Sequence, residues 1–240
     1  MGYADIHAHI IPGIDDGAKT LDESKQMLHE SYANGFTTII ATPHFAKGFG
    51  KYTKEEVLHY CEILDKYAKE HISPDFNVLP GQEIYFNDTS LKLIHDGEVI
   101  PLANSNYILL EFDPAISFSQ LLRSLREVSM SPYNIILAHI ERYSCLDDIS
   151  KLIEVRDLNI LTQMNYESLL GSFWKPKTIW CRKCLRNGFI DFLATDMHSI
   201  NNISKLNNSF KWINKHINAA FLQQLTELNA ANVLINNEEG

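Results

Sequence analysis

Short apolar and β-branched runs alternate with longer amphipathic segments along the whole chain. Thr20 followed by Glu23 has the form of a capping box and, with Gly35 beyond the segment, predicts a helix over residues 21–34. Thr53 followed by Glu56 predicts a second helix in the same way. Helices are also predicted over residues 118–130 and around 146–157. Strands are predicted over residues 4–10, 37–44, 77–86, 107–112, 133–140, 159–165 and 190–198.

About seven strands, each followed by a helical segment, are typical of a parallel sheet, because continuously apolar strands suit burial on both faces. An open doubly wound sheet and a closed barrel both fit this order. The positions of the candidate site residues, described below, favour closure. We therefore expect an α/β fold in which residues 1–240 form one domain, a distorted (β/α)7 barrel.

Composition narrows the class of protein. The 240 residues are 45% hydrophobic, which is enough for one substantial core. With 30 acidic and 21 basic residues the formal net charge is -9, which disfavours binding to nucleic acid. No apolar run approaches the roughly 18 residues that span a bilayer, and the first ten residues do not have the form of a signal peptide. We expect a cytoplasmic chain that does not span a membrane, and the oligomeric state stays open.

The cysteines point away from thiol chemistry. There are four of them, too few and too scattered for a secreted disulfide framework. Cys181 and Cys184 are a lone pair in a helical segment, so we expect neither a metal site nor a redox site there. No cysteine has an arginine six positions later, the spacing of a cysteine-dependent phosphatase loop.

Histidines and carboxylates accompany six of the seven predicted strands. The first strand carries His7 and His9, with Asp16 just beyond it. The others end at His44, Glu83, Glu111, His139, and Asp196 with His198. In a parallel β/α barrel the carboxyl ends of all strands meet at one face, so these nine side chains are predicted to converge.

The predicted convergence of these nine side chains favours a site that binds metal ions. His7 and His9 are two residues apart on one strand, so they point the same way and can chelate one ion. A lone strand histidine is more often a core residue, but a buried cluster of carboxylates needs cations to offset its desolvation. Imidazole and carboxylate ligands without thiolate suit Mn, Fe or Zn, and nine candidates exceed the needs of one ion. The remaining histidines are predicted to lie on the surface: His29, His59, His71, His95 and His216.

The segments DIHAHIIPGIDDG, TPH, GQEI, LLEF, LAHIER and TDMH occur in this order. Together they resemble the motifs of the polymerase and histidinol phosphatase (PHP) superfamily and, within it, the bacterial capsule-biosynthesis protein-tyrosine phosphatases of the CpsB/CapC type. The resemblance spans nearly the whole chain. It implies the PHP fold, which is TIM-barrel-like, and a site of three divalent ions. Manganese is the implied metal, and Fe, Zn, Co and Mg also fit.

Site roles follow from the resemblance by matching position. The implied ligand sets are His7, His9, Glu83 and Asp196 for one ion; Glu83, Glu111 and His139 for a second; and Asp16, His44 and His198 for a third. Arg142, in HIER, corresponds to the family's phosphate-contacting arginine. The implied catalytic residues are Arg142, Asp16 and His44.

The implied activity is that of a metal-dependent protein-tyrosine phosphatase in which a metal-bound hydroxide attacks phosphotyrosine. Three divalent ions and four carboxylates leave the site with a charge of about +2, which suits a phosphate monoester. A phenolate leaving group, with a pKa of about 10, departs without a strong general acid. The implied substrate is the phosphotyrosine tail of the tyrosine autokinase that regulates capsule or exopolysaccharide synthesis.

Two departures from the family pattern keep other functions open. Phe45 and Ala46 stand where similar members carry basic residues, and Ile203 stands where an arginine is expected. Three lysines are candidates to replace the lost charge: Lys47, Lys51 and Lys205. A thinner basic rim favours a small phosphate monoester such as histidinol phosphate as a second candidate substrate. A non-catalytic module that docks the kinase, and an amidohydrolase, are two further functions that stay open.

Overall fold

The computed structural model describes residues 2–45, 52–203 and 205–235. Within these ranges every strand pairing is parallel. The strands are β1 (Tyr3–Ala8), β2 (Phe36–Ala41), β3 (His44–Phe45), β4 (Asn77–Pro80), β5 (Glu83–Tyr85), β6 (Tyr107–Glu111), β7 (Asn134–Leu137), β8 (Leu161–Asn165) and β9 (Phe192–Ala194). The α-helices are α1 (Leu21–Ala33), α2 (Lys54–His71), α3 (Asp88–His95), α4 (Phe118–Val128), α5 (Ile149–Arg156), α6 (Pro176–Arg186), α7 (Ile200–Ile203), α8 (Leu206–His216), α9 (Ala219–Gln223) and α10 (Asn229–Ile235).

Two predicted strands are each divided in two. The run over 37–44 becomes β2 and β3, and the run over 77–86 becomes β4 and β5. Pro43 interrupts the first run because proline has no N–H for the ladder. The register is nevertheless continuous across the breaks, since Thr38 pairs with Asn77 and His44 pairs with Glu83. The prediction of seven strand positions is therefore confirmed, although two of them are bent.

The sheet curls until its first and last strands meet. One part has the order β1-β2-β4 and the other has the order β3-β5-β6-β7-β8-β9. The backbone N–H of Asp196 donates to His7 O at 2.9 Å, and that of His9 donates to Met197 O at 3.0 Å. These bonds join the segment after β9 to β1. The α/β barrel-like prediction is confirmed, and the open doubly wound sheet is excluded.

The core has an inner and an outer part. The inner cluster includes Ile6, Ile40, Leu109 and Ile136, which come from four different strands and are buried. Val233 of α10 belongs to the same cluster. The outer part fills the space between the strands and the surrounding helices. Full burial of each such aliphatic side chain contributes about 1.5–3 kcal/mol to folding, and this core supports the strands at whose ends the candidate site residues lie.

The predicted helix starts are confirmed, with one difference. In α2, Thr53 Oγ1 accepts the Glu56 N–H and Glu56 Oε2 accepts the Thr53 N–H, which completes the capping box. In α1, Thr20 Oγ1 accepts the Glu23 N–H at 3.2 Å, but the Glu23 carboxylate accepts the N–H of Lys19 instead. None of the helices in the described ranges has the length and apolarity of a membrane span.

Candidate metal centre

Nine imidazole and carboxylate side chains lie together at the carboxyl ends of the strands. They fall into overlapping groups in which the donor atoms lie within 4.8 Å of one another. The members are His7, His9, Asp16, His44, Glu83, Glu111, His139, Asp196 and His198. These are the nine residues that the sequence predicts to converge. Their assignment to individual ions stays a prediction.

His7 and His9 face each other across a short gap. Their Nε2 atoms are 3.1 Å apart, and each lies 3.4 Å from a carboxylate oxygen of Glu83. Asp196 Oδ1 lies 3.4 Å from His7 Nε2 and 3.3 Å from His9 Nε2. Two ligand atoms held about 2.1 Å from one ion at a right angle are about 3 Å apart. The spacing therefore matches four ligands around a common point.

Glu83 connects this group to a second one. Its Oε1 atom is 2.7 Å from His139 Nε2, and its Oε2 atom is 2.7 Å from His44 Nδ1. Glu111 also approaches both histidines, at 3.7 Å in each case. One carboxylate with an oxygen in each of two ligand groups has the geometry of a bridge between two ions.

Asp16 marks the outer part of the cluster. Its Oδ1 atom is 3.4 Å from His44 Nε2 and 3.3 Å from His198 Nε2. The Asp16 side chain is 48% exposed and that of His198 is 26% exposed. Since the other seven side chains are almost fully buried, this third group is the one that faces solvent.

The donor atoms fit divalent cations. Glu83 Oε2 and Asp196 Oδ1 are buried and accept no hydrogen bond of good geometry, although imidazole nitrogens lie close to both. Buried carboxylate oxygens without such partners are costly unless a cation faces them. The set contains imidazole and carboxylate but no thiolate, a combination that suits first-row metals. The residues present therefore fit a metal centre.

Charges within the cluster support one another. Burial opposes ionisation of Glu83 and Asp196, but the neighbouring imidazoles outweigh it, and the pKa of each carboxyl lies well below its usual value. Burial likewise opposes protonation of His9, but Asp15, Asp196 and Glu83 raise the pKa of its imidazole well above the usual value. Positive charge is thus favoured at the position that a metal ion would take.

Two of the nine residues have an unusual backbone. His139 has φ 29° and Asp196 has φ 50°, values in the left-handed region that residues other than glycine adopt uncommonly. The His139 N–H donates to Gln163 Oε1 at 2.8 Å, and the Asp196 N–H donates to His7 O at 2.9 Å. These bonds hold the backbone turns that direct both side chains into the cluster.

Asp15 supports the centre, although only its neighbour Asp16 is predicted from the sequence to be a ligand. Asp15 Oδ2 lies 2.7 Å from His9 Nδ1, so that nitrogen carries the proton and Nε2 faces the cluster. The same oxygen accepts the His44 N–H at 3.0 Å. Burial opposes ionisation, but these bonds and one from the Gly17 N–H hold the pKa of Asp15 at about 2. A side chain at residue 17 would collide with the His9 backbone, so glycine is required there.

Strand β8, the one predicted strand without a ligand, supplies two supporting amides. Gln163 Oε1 lies 3.3 Å from His7 Nδ1 and accepts the His139 N–H. Gln163 Nε2 donates to Asn165 Oδ1, and Asn165 Nδ2 donates to Asp196 Oδ2 at 2.7 Å. Neutral amides are therefore linked to three of the nine residues. These amides are not predicted from the sequence, because they are neither charged side chains nor imidazoles and so do not resemble metal ligands.

Arg142 lies beside the cluster and is ion-paired with Asp196. Burial opposes its charge, but Asp196, Glu83 and Glu141 raise the pKa of the guanidinium above its usual value. Its side chain is 39% exposed, so part of it faces solvent. The preceding Glu141 is buried and accepts bonds from the Asn165 N–H and the Ser168 hydroxyl. This fixes the turn that carries Arg142.

The structure places some of the residues that depart from the family pattern, and one of the lysines that are candidates to replace the lost charge. Phe45 is half-buried and packs on the outer core, whereas Ile203 is fully buried and so does not face an incoming ligand. Lys205 Nζ pairs with Glu167 at 3.0 Å, which engages its charge. Ala46, Lys47 and Lys51 lie outside the described residues.

The residues predicted to have no part in the site are also placed. The five remaining histidines are exposed, as predicted. Cys181 and Cys184 are buried and free, and burial raises the pKa of each thiol to about 12. Among the described residues, no group of close metal-ligand atoms includes a cysteine.

Comparison with known proteins places this geometry in a family. The model of the family described as capsular polysaccharide synthesis, CpsB/CapC, matches residues 3–235. The tyrosine-protein phosphatase CpsB of Streptococcus pneumoniae is 33% identical over 202 residues, which cover 82% of this chain and 83% of that protein. The tyrosine-protein phosphatase YwqE of Bacillus subtilis is 30% identical over 201 residues, covering 82% and 77%.

Solved structures agree with the fold. One match, from work on YwqE of Bacillus subtilis and CpsB of Streptococcus pneumoniae as unique metal-dependent tyrosine phosphatases, has a TM-score of 0.84 at 26% identity. It covers 97% of this chain and 94% of the other. Dihydropyrimidinase from Brevibacillus agri has a TM-score of 0.61 at 11% identity, covering 99% and 71%, and that likeness concerns the fold alone. The chain belongs to the CpsB/CapC family of capsular polysaccharide synthesis.

Proposed function

We propose that this protein is a metal-dependent phosphatase that hydrolyses phosphotyrosine in proteins. The observation that carries the proposal is the convergence of nine buried or half-buried donor side chains at one end of the barrel, with Arg142 beside them. Relatives that are about 30% identical in sequence over most of this chain are named tyrosine-protein phosphatases. An amidohydrolase is disfavoured because it leaves His44, Glu83 and Glu111 without roles.

The proposed ligand sets follow the three groups of distances. His7, His9, Glu83 and Asp196 surround the first point. Glu83 also contributes to the second set, with Glu111 and His139, and the third set is Asp16, His44 and His198. Divalent ions held by these residues would supply Lewis acidity to the phosphoryl oxygens and would acidify a bound water. Manganese is the proposed metal because the family resemblance implies it, and the donors, imidazole and carboxylate without thiolate, are compatible with it as they are with Fe and Zn.

The chain's own residues bind and orient the substrate. Arg142 combines an ion pair to Asp196 with a solvent-facing portion, so its planar guanidinium can clamp a phosphoryl oxygen while Asp196 holds it in place. Asp16 and His44 belong to the most exposed group, where an incoming phosphate first meets the centre. The tyrosine phenolate departs with a pKa of about 10, so no strong general acid is required from the protein.

The proposed substrate is the phosphotyrosine tail of the tyrosine autokinase in capsule or exopolysaccharide synthesis. The description of the family supports the pathway. Histidinol phosphate is the competing substrate, because Phe45 and Ile203 contribute no positive charge to the rim.

The test compares substrates and metals on one preparation. We expect hydrolysis of p-nitrophenyl phosphate and of a phosphotyrosine peptide, with the highest kcat/KM in Mn among Mn, Co, Mg and Zn. A higher kcat/KM on histidinol phosphate than on the peptide would reassign the substrate. Retained metal and kinase binding without hydrolysis of any phosphate ester would instead favour a docking module.

A further inference from the structure

A groove between α6 and α8 collects positive charge in an otherwise acidic protein. Residues 168–226 contain eight of the 21 Lys and Arg residues but only two of the 30 Asp and Glu residues. Of those two acids, Asp191 pairs with Arg156 and Asp196 belongs to the metal centre. Among the described residues that line the groove, Arg182, Lys183 and Arg186 are basic and none is acidic, so the groove is a cationic surface on a chain whose formal net charge is -9.

The groove is concave and has an aromatic floor. It encloses about 600 Å³ between Phe173, Ile179, Lys183 and neighbouring side chains. The guanidinium carbons of Arg182 and Arg186 lie 4.9 Å and 5.3 Å from the centroid of the Trp212 ring. Cations stacked on an aromatic ring are held in place without being neutralised.

These cations have no acidic partner in the described part of the chain. No carboxylate there lies within 4.0 Å of Arg182, Lys183 or Arg186. Two apolar residues that line the groove, Phe173 and Ile179, are 74% and 49% exposed. Unneutralised cations beside exposed apolar side chains are complementary to a chain segment that carries acidic and apolar residues.

The groove begins on the same side of the barrel as the metal centre. The loop that carries Phe173 follows β8, and Asn165 at the end of β8 donates to Asp196. In a parallel β/α barrel such loops surround the active face. Arg182 donates to Leu169 O at 2.8 Å, which ties this loop to α6. One extended polypeptide can therefore reach both places.

We propose that this groove binds an acidic segment of the polypeptide that presents its phosphotyrosine to the metal centre, a proposal that rests on the proposed function. A concave groove with cations in its walls fits an extended chain better than a flat lipid surface. The attraction acts through exposed charges, so it weakens as the salt concentration rises. Binding in the groove should therefore lower KM for long peptide substrates and leave kcat unchanged.

The test uses two phosphotyrosine peptides that differ in one segment. Each has a flexible spacer of about ten residues, which spans at most about 35 Å, and then either a Glu-rich and Asp-rich segment or its Gln and Asn counterpart. Both chain orders are made. The variant is Lys183→Glu/Arg186→Glu, and the matched control is Lys66→Glu/Arg126→Glu, which makes the same charge change on α2 and α4.

We expect the parent protein to cleave the acidic peptide with a kcat/KM about 10-fold above that for the neutral peptide, because its KM for the acidic peptide is lower. The groove variant should lose this preference and keep its activity on p-nitrophenyl phosphate, while the control variant keeps both. Fluorescence anisotropy with a labelled acidic segment that lacks phosphotyrosine should show weaker binding to the groove variant only.

The remaining outcomes separate the two proposals. Hydrolysis of both peptides at equal kcat/KM would overturn the docking groove and leave the phosphatase standing. Absence of hydrolysis with any phosphotyrosine peptide would overturn the proposed function and the groove's role in it, whatever the anisotropy shows. Groove-dependent binding to phosphatidylserine vesicles, or groove-dependent self-association, without binding of the acidic segment would also overturn the proposal.

Discussion

The metal centre and the α6–α8 groove both concentrate charge, but the charges are held in different ways. In the centre, side chains such as Glu83 and His7 come from separate strands, are buried, and have ionic partners inside the cluster. In the groove, Lys183 and Arg186 lie exposed on one helix and have no carboxylate partner within the described ranges. Fixed and mutually supported donors suit ions that require a set geometry. Exposed and unneutralised cations suit a ligand whose geometry is loose.

The largest predicted effect is the loss of Asp196. Asp196→Ala removes a donor from the cluster and leaves Arg142 without its partner. We expect kcat/KM on p-nitrophenyl phosphate to fall by about 10³-fold or more. Lys66→Ala, on an exposed site of α2, is the control and should keep the parental rate. A parental rate in Asp196→Ala would refute the site.

Metal removal tests whether the buried carboxylates depend on cations. At a metal concentration 100-fold above Kd, binding adds about 2.7 kcal/mol to the free energy of unfolding, which corresponds to a Tm shift of roughly 5–10 °C. We expect a chelator to lower Tm by this amount and added Mn to restore it. Lys183→Glu/Arg186→Glu should show the same shift, because the groove is separate from the centre. Equal Tm values with and without metal would contradict the account.

A smaller effect is expected from the support beneath the centre. Asp15→Asn keeps the shape of the side chain but weakens the hold on His9 Nδ1 and on the His44 N–H. Loss of such a partner typically costs about 10–100-fold in metal affinity. Titration with Mn measures the change, and Asp22→Asn, whose side chain is 89% exposed, serves as the control. Unchanged affinity in Asp15→Asn would show that His9 is oriented without it.

The smallest effect is expected at the phosphate clamp. Arg142→Lys keeps the charge but loses the planar donor set that can contact Asp196 and a phosphoryl oxygen together. We expect about a 10-fold loss of kcat/KM with the metal content unchanged. A parental kcat/KM in this variant would remove Arg142 from the phosphate site.

Much of the fold follows from local sequence signals. Thr53 and Glu56 define the start of α2, and apolar runs give the seven strand positions. Of the two breaks that divide strands, the first follows from Pro43, which is visible in the sequence, whereas the second involves a tertiary contact. Gly81 lies where a side chain would come within 2.9 Å of Ile40 and Leu102, and that proximity is not visible in the sequence.

The residues of the site likewise differ in how far the sequence predicts them. Charged and imidazole residues at strand ends, such as His44 and Glu111, are predictable because the fold gathers strand ends at one face. Supporting residues are harder to predict. Asp15 and Asp16 are adjacent acids, and only the folded turn shows that one is buried against His9 while the other is 48% exposed. Gln163 carries no charge that would single it out, and the α6–α8 groove depends on two helices that meet only in the folded protein.

Anomalous scattering from a crystal of the full chain grown with Mn tests the central claim most directly. The account predicts three anomalous peaks at the carboxyl ends of the strands, with Glu83 contacting two of the ions. Ligand distances should be about 2.0–2.3 Å, as is usual for nitrogen and oxygen donors on first-row divalent ions. Absence of anomalous density among these nine side chains, or peaks bound only elsewhere on the protein, would contradict it.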